Sequence, residues 1–293
     1  MDQMPDITSP RILGDLFRDY GLQPRRHLGQ NFLIDGNIVR KIVGAAEIKK
    51  GDTVLEIGPG AGALTLSMAR LGAHITVLEV DRGLIRLLRD LFEAWPQVEI
   101  LELDALKVNW DLLIGRFEAN RGAVKLISNL PYNISGPFMY SLFKEGFPFA
   151  EAVLMFQKEV ALRLVAGPGD RDYGTLSVLS RYYCEGNILF EVSKNVFWPR
   201  PKIGSAVLKL KPRPRELSAG EEELLWTVVR GLFQQRRKTI LNNMSRLFNL
   251  SRARLVDLLD EVPVSPAARP EELSVSQFAK LARITYNYLD KLS

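Results

Sequence analysis

The sequence has few of the residues that most often bind metals or form cross-links, with one cysteine and two histidines in 293 residues. Cys184 cannot form a disulfide bond within the chain, and no paired Cys/His spacing suggests a zinc site. We therefore expect no bound metal and a reducing environment such as the cytoplasm.

Long hydrophobic runs are also missing. No stretch approaches the roughly 18 apolar residues that indicate a membrane-spanning helix. The first residues, Met1 to Asp6, lack both the basic start and the apolar stretch of a secretory signal. These absences favour a cytoplasmic protein with no membrane partner.

What is present is an ordinary globular composition with a basic charge balance. The apolar share is 46%, the charged share is 25% and the net charge is +5, with an isoelectric point near 9.3. Residues 211–293 contain 14 Lys and Arg against 10 Asp and Glu, so most of the excess lies there. Basic surfaces attract phosphate backbones, which makes a nucleic acid the expected partner.

Five short apolar runs rich in β-branched residues alternate with segments able to form helices. They are Thr53–Ile57, Ile75–Val80, Val98–Leu101, Val124–Ile127 and Ala152–Phe156. Near-continuous apolar runs in this alternation predict a parallel sheet covered by helices on both faces. Two later runs, Asn187–Val192 and Ser205–Leu210, predict an antiparallel edge. The fold class is therefore α/β, a doubly wound domain.

Other segments flank this domain. Ser9 and Pro10 precede an apolar pattern of helical period that stops at Gly21, which predicts an N-capped amphipathic helix. Lys211–Arg215 alternates charges with prolines and predicts a stiff linker that breaks strand and helix. Apolar residues at helical spacing beyond it predict a small all-helical domain. We expect two domains, residues 1–210 and 211–293, as the chain length suggests.

A glycine turn follows the first strand, with glycines at positions 58, 60 and 62 ahead of a helical segment. Such a turn lets the backbone pass close to a ligand. Glu79 and Asp81 end the next strand, about 20 residues further on, where an acid can accept hydrogen bonds from ribose hydroxyls. We predict a ribose-containing cofactor. The same loop fits the G-x-G-x-x-A pattern of NAD enzymes, so an NAD oxidoreductase and a purely structural turn stay open on this signal alone.

Polar residues also follow the third and fourth strands. Asp104 can accept from an adenine amine, or it can cap a turn. After the fourth strand, the Asn129 carboxamide oxygen and a backbone carbonyl beside Pro131 can each accept one hydrogen of an adenine amine. Tyr132 offers a face on which that base can stack. A simple Asn-Pro turn is the alternative, but its position after a strand of this fold favours a site for a flipped-out adenine.

These motifs, taken in order, resemble those of ribosomal RNA adenine dimethyltransferases of the kasugamycin-sensitivity type. The resemblance covers nearly the whole chain and rests on His27–Leu33, Glu56–Gly62, Glu79, Asp104, Asn129–Ser135, Phe197–Lys202 and Phe233–Lys238. It implies a Rossmann-like methyltransferase domain, a small helical domain that binds RNA or the ribosome, and S-adenosylmethionine as methyl donor. The sequence departs from the family's pattern at Leu103, where glycine is common, and at Thr175, where arginine is common.

The resemblance also implies roles for individual residues. The implied cofactor site consists of Gln30, Asn31, Leu33, Glu56, Gly58, Gly60, Gly62, Glu79, Val80, Asp104, Ala105 and Asn129. The implied catalytic set is Asn129, Leu130, Pro131, Tyr132 and Phe197. The implied RNA contacts are Arg25, Arg26, Arg200, Lys202, Arg236, Arg237 and Lys238. Without the resemblance, Phe197 would be taken for a core aromatic and Arg236–Lys238 for solvated cations at a helix end.

The implied activity is dimethylation of the N6 atoms of two adjacent adenines near the 3′ end of small-subunit ribosomal RNA, by a monomer that acts late in subunit assembly. Two other functions stay open. One is an antibiotic-resistance methyltransferase acting on a large-subunit adenine, whose motif usually has isoleucine where Leu130 stands. The other is a noncatalytic ribosome-assembly factor on the same scaffold.

Overall fold

The computed structural model describes residues 4–121 and 123–291. These residues form two compact units. Unit 1 comprises the described residues of Met1–Ala161 and Gly186–Pro212, and unit 2 those of Leu162–Glu185 and Arg213–Ser293. Of the helices in the described ranges, none is long and apolar enough to span a membrane. The same ranges contain no group of three or more His, Cys, Asp and Glu residues placed to hold a metal ion.

The main sheet contains strands β2 to β7 and β9. Their bounds are β2 Thr53–Ile57, β3 His74–Glu79, β4 Val98–Glu102, β5 Val124–Asn129, β6 Glu151–Gln157, β7 Cys184–Val192 and β9 Ser205–Pro212. The strand order is β4-β3-β2-β5-β6-β9-β7. Strands β2 to β6 pair in parallel, and β9 runs antiparallel to β6. The predicted parallel sheet with an antiparallel strand is confirmed.

Short elements and helices complete unit 1. β1 (Phe32–Leu33) pairs antiparallel with β8 (Phe197–Trp198), apart from the main sheet. The helices are α1 Pro10–Asp19, α2 Gly36–Ala45, α3 Ala63–Arg70, α4 Arg82–Leu91, α5 Trp110–Arg121, α6 Ser135–Lys144 and the start of α7 Lys158–Val165. The predicted first helix begins at Pro10 as expected, but the Ser9 side chain makes no capping hydrogen bond.

The core of unit 1 explains why these segments form strands and helices. All five residues of β2 are buried, and Val54, Ile75, Ile127 and Val153 from neighbouring strands meet in one apolar cluster. Burial on both faces accounts for the continuous apolar runs, because the central strands expose neither face to water. The polar residues Glu79 and Asn129 are the last residues of β3 and β5.

Unit 2 is built mainly from helices. They are α8 Thr175–Tyr183, α9 Ala219–Gln234, α10 Ile240–Leu247, α11 Arg252–Asp260 and α12 Val275–Asp290. Apolar residues that recur at helical spacing are buried, among them Leu225, Leu255 and Phe278. Phe233 of α9 stacks on Phe278 of α12, with ring centroids 5.8 Å apart. The predicted helical C-terminal region is confirmed.

The compact units do not follow a linear division at residue 210. Segment Leu162–Glu185 packs with the C-terminal helices, where Tyr182 Oη donates to Glu222 Oε1 of α9 at 3.1 Å. The predicted end of the last strand at Leu210 was also two residues early. Ala152 of β6 pairs with Leu210, so Pro212 lies beyond this pair, at the end of the strand, where a missing N–H is tolerated.

Candidate active site

A cavity of about 290 Å³ opens at the carboxyl ends of β2, β3, β4 and β5. Chain order reverses between β2 and β5, because β3 and β4 lie on one side of β2 while β5 and β6 lie on the other. Ligands of doubly wound sheets bind at such a reversal, outside the carboxyl ends of the strands. The loops after these four strands therefore form the candidate site.

The glycine turn after β2 is packed too tightly for other residues. Gly58 and Gly60 line the cavity and have φ angles of 60° and 61°, which L residues with side chains rarely adopt. A Cβ at Gly58 would lie 2.7 Å from Pro131 Cγ, and one at Gly60 would lie 2.9 Å from Phe32 Cδ1. Gly62 is outside the lining. It precedes α3 with φ 88°, and a Cβ there would meet Phe92 at 2.7 Å.

Glu79 is the last residue of β3, and its two carboxylate oxygens have different surroundings. Oε1 accepts from the N–H groups of Val80 and Asp81 at 2.7 and 2.8 Å. Nothing among the described residues donates to Oε2, and Glu79 lines the cavity. Burial raises the pKa of Glu79, while the two backbone hydrogen bonds lower it. Oε2 is therefore an available acceptor at the position where a ribose is expected.

Glu56 occupies a different environment from the one expected of a cofactor ligand. Its side chain is 1% exposed and does not line the cavity. Thr65 Oγ1 donates to Glu56 Oε2 at 2.6 Å. Burial raises the pKa of Glu56 to about 8, against the lowering effect of the Thr65 hydrogen bond. Glu56 thus lies beneath the glycine turn, behind the cavity wall.

The loops after β3 and β4 give the cavity an apolar wall with one acid. Val80, Leu103 and Leu106 line it and are large hydrophobic residues left exposed, which suits the faces of a planar base. Asp104 also lines it, with Oδ1 accepting from Leu106 N–H at 3.0 Å and Oδ2 lying 3.6 Å from Lys107 Nζ. The position of Asp104 is therefore compatible both with capping the turn and with binding a ligand. Ala105 is in the lining as expected.

Asn129, the last residue of β5, has one polar atom bound and one left open. Nδ2 donates to Asn31 O at 3.1 Å. Oδ1 is buried and has no hydrogen-bond donor among the described residues. Pro131 O already accepts from Ser135 Oγ and Ile134 N–H. Asn129 Oδ1 is therefore an open acceptor of this turn, and the side chain of the next residue, Leu130, is fully buried.

Tyr132 lines the cavity and is fixed by a residue that the sequence did not reveal. Its hydroxyl lies 2.7 Å from Ser205 Oγ, and Ser205 is fully buried at the start of β9. Burial raises the pKa of Tyr132 above 10.0. Because β9 is distant in sequence, only the antiparallel pairing of β9 with β6 brings Ser205 here.

Phe197 is not placed as a surface for the target base. It is 2% exposed and belongs to the core cluster of unit 1. It pairs with Leu33 across β1 and β8, and its ring meets Tyr132 edge-on with centroids 6.4 Å apart. In this structure it supports Tyr132 from behind rather than lining the cavity, because its strand pairing turns the side chain into the core.

The segment before β1 closes one side of the cavity. Gln30 Nε2 donates to Asp81 Oδ2 at 2.9 Å, and Gln30 Oε1 accepts from Arg25 N–H at 2.7 Å. Asn31 Nδ2 donates to Gly29 O. Gln30, Asn31 and Leu33 all line the cavity. The polar side chains of Gln30 and Asn31 therefore serve to hold this segment in place.

The basic residues predicted to contact RNA have different surroundings. Arg25 Nη1 lies 3.4 Å from Asp81 Oδ1, which gives it a structural partner. The other six, Arg26, Arg200, Lys202, Arg236, Arg237 and Lys238, are exposed, and none of them forms an ion pair with a described residue. Arg236–Lys238 forms the turn between α9 and α10 rather than a helix end. Asn243 Nδ2 lies within 3.4 Å of the carbonyl oxygens of Leu232, Gln235 and Lys238, so one buried amide holds this turn.

Comparison with known proteins places these features in context. A family model described as ribosomal RNA adenine dimethylase matches residues 21–286. The chain is 42% identical to ribosomal RNA small subunit methyltransferase A of Pelotomaculum thermopropionicum, over 94% of this chain and 96% of that protein. A protein of the same name from Moorella thermoacetica is 41% identical, over 96% and 99%. A solved dimethyladenosine transferase from Plasmodium falciparum matches with a TM-score of 0.70 at 29% identity, over 85% of this chain and 95% of that one.

Proposed function

The chain belongs to the ribosomal RNA adenine dimethylase family, and on this premise we propose its reaction and substrate. It transfers methyl groups from S-adenosylmethionine to the N6 atoms of two adjacent adenines near the 3′ end of 16S ribosomal RNA. The substrate is the small ribosomal subunit late in its assembly. The chain acts there as a monomer in the cytoplasm.

One observation supports this activity above the others, the unpaired oxygen of Asn129. A buried acceptor without a donor costs about 1–3 kcal/mol. Asn129 Oδ1 has no donor among the described residues, and Asn129 lines the cavity. An adenine amine entering the cavity supplies the missing donor. The open acceptor at this position therefore favours an amine-bearing substrate.

The cavity also fits the methyl donor of this family. S-adenosylmethionine supplies an electrophilic methyl group bound to a sulfonium sulfur. Gly58 and Gly60 line the cavity and have no side chains, so the cofactor can approach their backbone closely. Glu79 Oε2 is available to the ribose hydroxyls, and the apolar wall of Val80 and Leu103 suits the adenine ring.

The catalytic contribution of the chain is mainly positional. Asn129 Oδ1 and Leu130 O accept the two amine hydrogens, which aims the nitrogen lone pair away from the ring plane. Tyr132, held by Ser205, stacks on the target base. None of the lining residues is a histidine, and none is needed as a base, because the sulfonium S–C bond would break as the N–C bond forms and the methylated nitrogen would then lose its proton to water. Holding two reactants in line accounts for a large part of the acceleration of such transfers.

The alternatives receive less support. The two curated relatives described above are small-subunit methyltransferases by name, which disfavours the large-subunit activity. A noncatalytic assembly factor would not need the buried, unpaired Asn129 Oδ1 as an acceptor for an amine. An NAD oxidoreductase is disfavoured by membership of this family.

The decisive experiment uses labelled S-adenosylmethionine with small subunits that lack the modification. We expect two methyl groups on each of two adjacent adenines near the 3′ end of 16S ribosomal RNA, located by mass mapping of RNA fragments. Large-subunit RNA serves as the parallel substrate. Label in the large-subunit RNA alone would establish the resistance-type activity, and binding of small subunits without label would establish the noncatalytic factor.

A further inference from the structure

Trp198 is an exposed aromatic residue beside the cavity. It is 37% exposed, whereas its neighbour Phe197 is buried. Large hydrophobic side chains exposed singly are common on protein surfaces, so exposure alone indicates nothing. The position and the neighbours of Trp198 decide whether the ring has a role.

The ring of Trp198 is held rigidly. Trp198 pairs with Phe32 across β1 and β8. Its ring meets Phe17 of α1 edge-on, with centroids 5.3 Å apart at 85°, and lies 6.2 Å from the ring of Phe32. Phe17 and Phe32 also contact each other, with centroids 4.9 Å apart. This packing fixes one side of the indole and leaves the rest open.

The same contacts place Trp198 next to the candidate active site. Phe32 lines the cavity and lies against Gly60 of the glycine turn. Trp198 is therefore separated from the cavity by a single aromatic ring, with centroids 6.2 Å apart.

Two cations follow Trp198 on the same loop. Arg200 and Lys202 are exposed, and among the described residues neither forms an ion pair with a carboxylate. Some other cations of unit 1 are paired with acids, as Arg25 is with Asp81 and Arg82 is with Glu102. Unpaired cations beside a partly exposed aromatic ring are a combination with which proteins hold single-stranded nucleic acid.

We propose that Trp198 is the stacking surface for an unpaired RNA nucleotide adjacent to the target adenine, with Arg200 and Lys202 contacting the flanking phosphates. This inference rests on the proposed function and names a substrate contact for the same site. A protein partner is the weaker fit, because a single aromatic ring beside two cations offers too little apolar area for a stable interface. Holding the neighbouring nucleotide keeps the strand extended while the target base occupies the cavity.

The test uses the full-length protein and two probes, a short single-stranded oligoadenylate and a duplex RNA of equal length. Trp198→Leu keeps an apolar side chain against Phe17 and Phe32 but removes the aromatic face. Trp198→Phe keeps a smaller ring. Trp95→Leu makes the same chemical change at a half-buried tryptophan elsewhere in unit 1 and serves as the matched control.

We expect Trp198→Leu to weaken binding of the single strand by roughly 5- to 150-fold, the range that follows from removing one base–aromatic stack. Trp198→Phe should retain most of the affinity, and Trp95→Leu should bind as the wild type does. Duplex binding should change little, since paired bases offer no free face. Tryptophan fluorescence of the wild type should be quenched by the single strand, and Trp198→Phe should lose that quenching.

Single-strand affinity of a folded Trp198→Leu protein within twofold of wild type would overturn the proposal. If that variant folds poorly by circular dichroism, quenching that persists undiminished in Trp198→Phe overturns it equally. Methyl transfer by the wild type is measured separately on small subunits. Absence of transfer there refutes the proposed function, whereas normal transfer together with normal binding by Trp198→Leu refutes this inference alone.

Discussion

Asn129 has one carboxamide atom bound within the fold and the other open. Nδ2 holds the Asn31 carbonyl, which fixes the amide plane, and this leaves Oδ1 directed at a position that no donor of the described residues fills. A side chain with both atoms free would rotate, and one with both atoms bound would have nothing to offer a substrate. Fixing one atom therefore orients the other.

Replacing Asn129 tests whether its Oδ1 accepts a hydrogen bond from the target amine. We expect Asn129→Ala to lower single-turnover methyl transfer by roughly 10²-fold, about 2.7 kcal/mol of barrier, because the amine loses one acceptor. Cofactor affinity measured by calorimetry should change little. Asn187→Ala, at an exposed asparagine of β7, is the control and should be as active as wild type. A rate for Asn129→Ala within a few fold of wild type would contradict the assigned role.

Glu56 makes stability depend on pH. Burial raises its pKa from 4.5 to about 8 in the folded protein, while the unfolded chain releases the proton near the ordinary value. Between these two pH values unfolding releases a proton, so the free energy of unfolding falls as pH rises, by up to about 1.4 kcal/mol per pH unit. The stability contributed by the protonated carboxyl is complete below the lower value and disappears as pH rises through the upper one.

Glu56→Gln should remove this dependence, since glutamine keeps the shape and cannot ionise. Denaturant unfolding between about pH 5.5 and 7.5 should show the stability of the variant gaining on that of the wild type as pH rises. Glu79 is present in both proteins, and in the wild type its charge adds to the rise in the pKa of Glu56. Parallel stability curves for the two proteins would show that Glu56 is ionised in the fold.

At the scale of elements, the segment from Arg25 to Leu33 joins the two halves of the site. Gln30 attaches it to Asp81 after β3, and Asn129 attaches it to the turn after β5. The cofactor side and the base side of the cavity therefore share one wall. Displacement of this segment would disturb both sides together.

The turn between α9 and α10 contains three of the cations expected to contact RNA. Its backbone is held by the Asn243 amide, so Arg236, Arg237 and Lys238 project from a fixed frame. We propose that these three cations bind RNA phosphates. Replacing all three by glutamine should then flatten the slope of log affinity against log salt by about 0.7–0.9 for each phosphate that is no longer neutralised.

A matched triple variant separates local binding from overall charge. Arg246, Arg252 and Lys280 are exposed cations of unit 2 that form no ion pair with any described residue, and their change to glutamine removes the same charge. That control should leave the salt slope near wild type, measured by binding of small subunits over a salt series. Equal slopes for the two triple variants would assign the effect to net charge and not to the turn.

At the scale of the whole molecule, ligand binding should appear as added stability. S-adenosylmethionine at about 100 times its dissociation constant should stabilise the folded protein by about 2.7 kcal/mol. Glu79→Gln keeps one oxygen to accept from Val80 and Asp81 but replaces the open acceptor by a donor. Most of the ligand-induced rise in melting temperature should then disappear, because removing this acceptor costs about 1–3 kcal/mol.

Glu93→Gln provides the control for that measurement. Glu93 is exposed and, within the described ranges, forms no ion pair, so the variant has the same change in charge with no change at the cavity. Its melting temperature should rise with cofactor as the wild type's does. An undiminished rise in Glu79→Gln would mean that Glu79 does not bind the ribose.

The sequence by itself determined the seven strands of the main sheet and the loops that carry the candidate site, whereas the short strands β1 and β8 were not predicted. β2 was predicted at its observed bounds, and Gly58 and Gly60 have the positive φ angles that their spacing indicated. These features are local. A continuous apolar run and a glycine turn depend on the conformational preferences of a few neighbouring residues. Both features can therefore be predicted without knowledge of the rest of the chain.

Only the tertiary structure decided which side chains are open and which are occupied. Phe197 is buried while Trp198 is exposed, Arg25 is paired with Asp81, and Ser205 holds Tyr132. Each outcome depends on a partner far away in sequence, brought close by strand pairing or by packing of a loop. Burial and hydrogen bonding of a side chain depend on which residues surround it in the folded protein. Adjacent residues can therefore differ, as buried Phe197 and exposed Trp198 do.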